Sequence, residues 1–226
     1  MIPYVIVLAI FILVAILLIK ILKKIILIAT FLFLLLILFL GYNAYLVYND
    51  VIDFKEHFAS SPNAFLLEEN NEIIAGFSAT FSKEQNPTLV SENTINSINK
   101  QKNYNSLLED NYKIFVFPVE TLTNDLPENI EFEEKSFQKQ EFISLLRSQT
   151  PIEEANLPEE AKKSLNIEDE TSFKGLLFVI AIQNLMENKK SYLIKSIKQR
   201  KIRVYPETPV IKAIKLIPNS ILNKIE

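Results

Sequence analysis

The first 48 residues contain no aspartate or glutamate, and this feature limits the fold of the chain more than any other. Their only charged side chains are Lys20, Lys23 and Lys24. The lysines separate two uncharged apolar segments, residues 2–19 and 25–48, which as helices would be about 27 and about 36 Å long. Because the hydrocarbon core of a bilayer is about 30 Å thick, each segment is long enough to cross it. The sequence therefore predicts a transmembrane region over residues 1–48 and a soluble domain over residues 49–226.

The three lysines favour a transmembrane helical hairpin over one continuous helix. A continuous helix over residues 2–48 would be about 70 Å long, and it would place either the lysines in hydrocarbon or one apolar half in water. A hairpin would place residues 20–24, with the sequence KILKK, at one membrane interface. This connection has no Gly, Pro, Asn or Asp to form a turn, so the continuous helix remains the alternative.

Four tyrosines mark the outer ends of the two apolar segments. Tyr4 opens the first segment, and Tyr42, Tyr45 and Tyr48 close the second. In a hairpin all four lie at the interface opposite the lysines, in the layer where tyrosine is enriched. The alternative is that the last three pack against the soluble domain. Lysine-bearing loops tend to be cytoplasmic, so we expect a cell-membrane protein with two spans and an extracytoplasmic domain.

Composition excludes several kinds of site. The chain has no cysteine, which excludes disulfides, thiol catalysis and cysteine-based metal centres. With one histidine it cannot form a histidine-rich metal site, and its three glycines form neither common phosphate-binding loop. His57 could serve as a catalytic base, but no nucleophile motif accompanies it, and a solvated histidine next to the membrane is the favoured interpretation. No catalytic residue, metal ligand or cofactor is predicted.

The remaining residues predict one α+β domain, with a strand-rich first half and a helical second half. A turn at Asn70-Asn71 should join the first two strands. The predicted strands cover residues 64–69, 72–82, 112–119, 131–134 and 202–205. The predicted helices cover residues 51–60, 89–109, 136–150, 172–187, 190–200, 209–217 and 221–225, and a short helix begins at residues 157–160. The apolar run in residues 175–182 is too short to cross a bilayer and indicates a buried core helix.

Charge divides the soluble domain into an acidic body and a basic tail. Residues 50–188 hold 11 Lys or Arg and 25 Asp or Glu, a net charge of −14, whereas residues 189–226 hold 10 and 2, a net charge of +8. The candidate contact residues in the tail are Lys189, Lys190, Lys195, Lys198, Arg200, Lys201 and Arg203. Leu193, Ile194 and Ile197 give the same segment an apolar face, which favours docking on the acidic body. The alternatives are contact with anionic lipid and contact with another polyanion or a second copy.

The leading hypothesis is a non-enzymatic membrane protein whose α+β domain is an interaction or assembly module. Its partners would be the lipid bilayer and a protein partner or second copy, and nucleic acid is disfavoured. One alternative is a membrane-tethered enzyme whose carboxylates converge only in three dimensions. Another is a cytoplasm-facing domain that binds anionic lipid or nucleic acid through its basic tail.

Overall fold

The structure is a computed structural model that describes residues 2–81, 86–132, 135–156, 165, 167–188 and 191–218. The chain divides into two compact units, Met1–Asn49 and Asp50–Glu226. We refer to the second unit as the domain. It is a mixed α+β fold built around a five-stranded sheet.

The first helix, α1, runs without interruption over Ile2–His57. The predicted hairpin is therefore wrong, and the continuous helix is observed. Lysine and leucine are strong helix formers, and a turn within residues 20–24 would break backbone hydrogen bonds with no turn-forming residue to compensate. Every side chain from Ile16 to Leu46 is exposed. Among the described residues, this one helix is long and apolar enough to cross a membrane, over Ile16–His57.

The strands are β1 (Asn63–Glu69), β2 (Glu72–Ala79), β3 (Thr88–Leu89), β4 (Lys113–Pro118), β5 (Asn129–Phe132), β6 (Lys135–Gln138) and β7 (Arg203–Tyr205). The central sheet is mixed, with the strand order β3-β2-β1-β4-β7, and a separate hairpin consists of β5 and β6. Strand β1 pairs antiparallel with β2 and parallel with β4. Strand β7 pairs antiparallel with β4 and forms one edge of the sheet.

Helices cover both faces of the sheet. They are α2 (Glu92–Gln101), α3 (Asn105–Leu108), α4 (Val119–Asp125), α5 (Lys139–Arg147), α6 (Pro151–Glu154), α7 (Glu170–Asn188), α8 (Tyr192–Lys198) and α9 (Pro209–Ile214). On one face, Phe178 of α7 packs against Phe77 and Phe117, with ring centroids 5.3 and 5.7 Å away. On the other face, Ile95 and Ile98 of α2 join a second buried cluster. Because both faces are buried, the central residues of the two middle strands are continuously apolar, over 64–67 in β1 and 114–117 in β4.

Two glycines allow close packing around strand β2. A Cβ atom on Gly175 would lie 3.1 Å from the carbonyl oxygen of Gly76, so the absence of a side chain at Gly175 allows α7 to approach β2 closely. A Cβ atom on Gly76 would lie 2.7 Å from Cδ2 of Leu66, so Gly76 leaves room for the side chain of Leu66.

Several predictions for the first half of the domain are confirmed, and others need correction. Strands β1 and β4 and the Asn70-Asn71 turn are observed, with φ angles of 52° and 65° at the two asparagines. The predicted helix over 89–109 is wrong as one element. Ser91 caps the start of α2, and Lys102, with a φ of 51°, ends it before α3 begins.

The predicted strand over 131–134 and helix over 136–150 also have different bounds. Residues 135–138 pair with β5, so the helix α5 begins only at Lys139. Proline was expected to stop this helix, but α5 ends at Arg147 and Pro151 begins α6 instead. Proline is tolerated in the first turn of a helix because the backbone N–H that it lacks would have no hydrogen-bond partner within the helix.

The second half contains the predicted buried helix as α7 and the predicted short strand as β7. Helix α8 is shorter than the predicted 190–200, and α9 ends at Ile214 rather than residue 217. The helical pattern predicted for 51–60 is the end of α1, which stops at His57. The predicted helical segments at 157–160 and 221–225 lie outside the described residues.

Candidate functional site

Two charged regions of the domain are candidate sites, and the first surrounds the end of α1. We call it the latch cluster; its members are Asp50, Asp53, His57, Tyr112 and Lys113. The hydroxyl of Tyr112 donates to Oδ2 of Asp53 at 2.6 Å. Nδ1 of His57 lies 3.1 Å from Oδ1 of the same carboxylate, and its ring stacks on Tyr112 with centroids 5.6 Å apart. Both oxygens of Asp53 are therefore occupied by neighbours from this cluster.

Lys113 is the most buried charged residue of the latch cluster, with 2% of its surface exposed. Its Nζ lies 4.6 Å from the centre of the Tyr112 ring. Burial lowers the pKa of Lys113, and the carboxylates of Asp50 and Asp53 partly oppose this shift. Burial, followed by the hydrogen bond to Asp53, raises the pKa of Tyr112. The two carboxylates thus compensate a cation that would otherwise be costly to bury.

The latch cluster holds the last turns of α1 against the rest of the domain. Asp50 accepts a hydrogen bond from the backbone amide of Val210, at the start of α9. The ring of Phe58 lies 5.9 Å from that of Phe115 in the sheet. Asn63, which is fully buried, donates to the carbonyl oxygen of Phe58 at 2.8 Å. Each of these contacts fixes the position of the helix end.

The geometry of the latch cluster favours a structural role over acid–base catalysis. The side chains of His57 and Asp53 are each 48% exposed, so His57 is partly solvated but also packed on Tyr112. A catalytic pair would present a base to a cavity, whereas here both oxygens of Asp53 face residues of the same cluster. Among the described residues, no group of three or more His, Asp or Glu side chains is arranged to hold a metal ion.

We expect Tyr112→Phe to lower the stability of the domain by about 1–2 kcal/mol, because it removes a hydrogen bond to a charged acceptor that is half exposed. Asp53→Ala should lower the stability of the domain further, since it also removes a carboxylate that compensates the buried charge of Lys113. The loss of unfolding free energy in the double variant should be smaller than the sum of the losses in the two single variants, because each single variant already removes the same hydrogen bond. Denaturant unfolding of the purified chain measures all three, with Tyr104→Phe as a control hydroxyl deletion. Strictly additive losses would show that Tyr112 and Asp53 do not interact.

The second candidate site is a groove of about 620 Å³ between the edge strand β7 and helix α9, which we call the cationic groove. Its charged lining residues are Arg200, Arg203, Glu207, Lys212 and Lys215. Its other lining residues are Ile202, Val204, Tyr205 and Leu216. Four cations and one carboxylate leave the lining with an excess of positive charge.

Two of the four groove cations have carboxylate partners. Arg203 pairs with Glu68 on β1, and Lys215 pairs with Glu207. The hydrogen bond from Lys215 lowers the pKa of Glu207, and the nearby charges of Lys212 and Arg200 lower it further. The side chains of Arg200 and Lys212, which also line the groove, are exposed. These two residues are therefore placed to meet an anion from outside.

Sequence patterns located this site only in part. Of the predicted contact residues, Arg200 and Arg203 line the groove, Lys201 pairs with Asp125 at 3.0 Å, and Lys195 and Lys198 lie on α8, half-buried. Lys189 and Lys190 lie outside the described residues. Lys212 and Lys215 were not singled out, although they belong to the same basic tail. Their positions near Arg200 depend on the turn between β7 and α9, which local patterns do not reveal.

No known protein family, curated protein or solved structure matches this chain. The function must therefore be inferred from its own geometry.

The predicted membrane-interface residues are exposed where they are described. The rings of Tyr42, Tyr45 and Tyr48 are 60–64% exposed, and Lys20, Lys23 and Lys24 are exposed as well. The side chain of Tyr4 lies outside the described residues. The lysines and the three tyrosines therefore lie at the two ends of an uncharged, almost entirely apolar helical stretch, residues 25–41.

Proposed function

We propose that the chain is a membrane-tethered, non-enzymatic interaction or assembly module. The observation that carries this proposal is α1, a single helix of 56 residues whose described side chains from Ile16 to Leu46 are all exposed. Apart from three lysines, almost all of these side chains are apolar, and so large an apolar surface requires a non-aqueous environment. The domain that follows has its own buried core and no predicted cofactor.

The charges and tyrosines along α1 suggest where the bilayer lies. About 20 helical residues cross the hydrocarbon core, which fits the uncharged stretch that begins at Ile25. Lys20, Lys23 and Lys24 would then lie at one interface, and Tyr42, Tyr45 and Tyr48 at the other. Positive charge favours the cytoplasmic side, so the domain would face the opposite side. This orientation does not depend on a turn at the lysines.

The length of α1 supports an assembly role. At 1.5 Å per residue the helix is about 84 Å long, well over twice the thickness of the hydrocarbon core. Residues 2–19 continue beyond the lysines and carry no charge of their own. If α1 stays continuous, this segment needs an apolar partner surface. Helices of a partner protein or of further copies of this chain would supply it.

Thiol accessibility tests this proposal directly, because the native chain has no cysteine. The exposed side chains of Leu13 and Lys100 are suitable positions for single cysteines. In permeabilised membranes, Leu13→Cys should be protected from a water-soluble maleimide and should crosslink through a short bifunctional reagent. Lys100→Cys, the matched control, should be labelled at once. Equal labelling at the two positions would show that the first segment lies in water and has no partner.

A catalytic role is the weaker alternative. It would require convergent ionisable groups at a cavity, and the latch cluster instead uses its carboxylates to bind Tyr112, His57 and the amide of Val210. An apolar cavity of about 460 Å³, lined by residues such as Phe77, Val179 and Met186, offers volume but little polar chemistry. The cationic groove has charge without an evident nucleophile. Binding is therefore the function that the described residues support best.

A further inference from the structure

The cationic groove lies next to the point where α1 enters the domain. Asp50, at the start of the domain, accepts a hydrogen bond from the amide of Val210 in the first turn of α9. Asp50 follows Tyr48 by two residues, about 3 Å along the helix. Lys212 lies in α9, and Lys215 directly follows it. Because this helix of six residues is only about 9 Å long, both lysines lie close to Val210. The groove cations therefore belong to the part of the domain that contacts Asp50, its first residue after the proposed membrane span.

The side chains at the groove form a pattern suited to the surface of an anionic membrane. Arg200 and Lys212 are exposed, and they stand beside the paired cations Arg203 and Lys215. Leu216, also in the groove lining, is 82% exposed, more than any other large apolar side chain in the part of the domain that the structure describes. Cations attract lipid phosphates, and an apolar side chain beside them can enter the region between headgroups and acyl chains.

We propose that the cationic groove binds the phosphate-bearing headgroup of an anionic lipid. Arg200 and Lys212 contact the headgroup, and Leu216 enters the interface. Arg203 and Lys215 keep their carboxylate partners and shape the groove. The inference rests on the proposed membrane tether, and it assigns the bound class as an anionic phospholipid.

The experiment uses the full chain with Leu216→Cys, labelled with an environment-sensitive fluorophore. The protein is reconstituted in vesicles of pure phosphatidylcholine or of phosphatidylcholine mixed with an equal amount of phosphatidylglycerol. Each vesicle also contains a lipid with a quencher near its headgroup. We expect strong quenching and a blue shift in the anionic vesicles, a weak effect in the neutral ones, and a loss of the difference in high salt.

The charge variant Arg200→Gln/Lys212→Gln should remove the difference between the vesicles. Each cation near an anionic surface contributes about fivefold to binding, so the pair should weaken the contact about 25-fold. The matched control, Lys100→Gln/Lys139→Gln, removes the same charge away from the groove and should keep the difference. A thermal unfolding midpoint close to that of the parent chain shows that each variant is folded.

Three outcomes would overturn the proposal. Equal quenching in both kinds of vesicle would mean that Leu216 enters the membrane without headgroup recognition. No quenching in either would mean that the groove faces water, where an acidic protein partner would be the remaining candidate. Equal effects of the groove variant and its control would mean that only net charge matters. A chain that is not retained by membranes at all would contradict the proposed tether, so the two failures are distinguishable.

Discussion

Replacing Ile197 with aspartate is expected to unfold the domain or to reduce its stability by more than about 4 kcal/mol. Ile197 is 2% exposed in the main hydrophobic core. Loss of its burial costs about 1.5–3 kcal/mol, and an unpaired buried carboxylate adds several more. Since the total stability of a domain is about 5–15 kcal/mol, this single change removes a large part of it.

The matched control for Ile197→Asp is Gln199→Asp, which introduces the same carboxylate at an exposed position two residues later. It should cost less than about 1 kcal/mol, chiefly from the unfavourable charge at a helix C-terminus. Lys198→Gln/Arg200→Gln should also leave the thermal midpoint nearly unchanged. Denaturant unfolding measures all of these variants. Equal midpoints for Ile197→Asp and the charge variant would contradict the conclusion that α8 is held by apolar packing.

The second large effect concerns orientation, and it is expected when Lys20, Lys23 and Lys24 are all replaced by glutamine. These are the only charged side chains in residues 1–48, so their loss removes the positive charge that favours a cytoplasmic location for this end of the proposed span. A single orientation should become a mixture. The readout is labelling of Lys100→Cys in intact cells with a reagent that cannot cross the membrane. The parent chain should be labelled completely and the triple variant only in part.

A control for the orientation experiment replaces three lysines of the domain, Lys55, Lys102 and Lys139, and should leave labelling complete. If the triple variant at positions 20, 23 and 24 keeps one orientation, then folding of the domain or a partner decides topology. The argument from positive charge would then be wrong.

Local sequence patterns predicted the elements whose own residues decide their structure. Strands β1 and β4 were recognisable from runs such as residues 64–67 and 114–117, because a strand buried on both faces is apolar at each position. The helix α7 was recognisable because the run in residues 175–182 is too short for a membrane. Asn70 and Asn71 tolerate positive φ, so their turn was also predictable.

Other features depend on residues that are distant in sequence, and these could not be predicted locally. The parallel pairing of β1 with β4 joins segments about 50 residues apart. Residues 135–138 have a helical pattern but form a strand because β5 pairs with them. The break at Lys102 gives no sequence signal, since lysine rarely adopts positive φ. The hairpin prediction is wrong because residues 20–24 are good helix formers with no turn-forming residue among them, so the helix continues through the lysines.

The two candidate sites also combine features that local sequence patterns reveal with features that depend on residues distant in sequence. The basic tail was evident from its charge, but the groove forms only when β7 and α9 bring Arg203 together with Lys212. The latch cluster joins Asp53 to Tyr112, 59 residues later, and no local pattern connects them. His57 was expected to be solvated, and its stacking on Tyr112 came from that same long-range contact.

The most direct test of the account is whether α1 holds the domain to the membrane. Membranes that contain the full chain are washed with alkaline carbonate, which strips proteins bound only by surface charge, and are then treated with detergent. The full chain should remain in the pellet until detergent is added, whereas residues 50–226 expressed alone should be in the carbonate supernatant. Release of the full chain by carbonate without detergent would contradict the account.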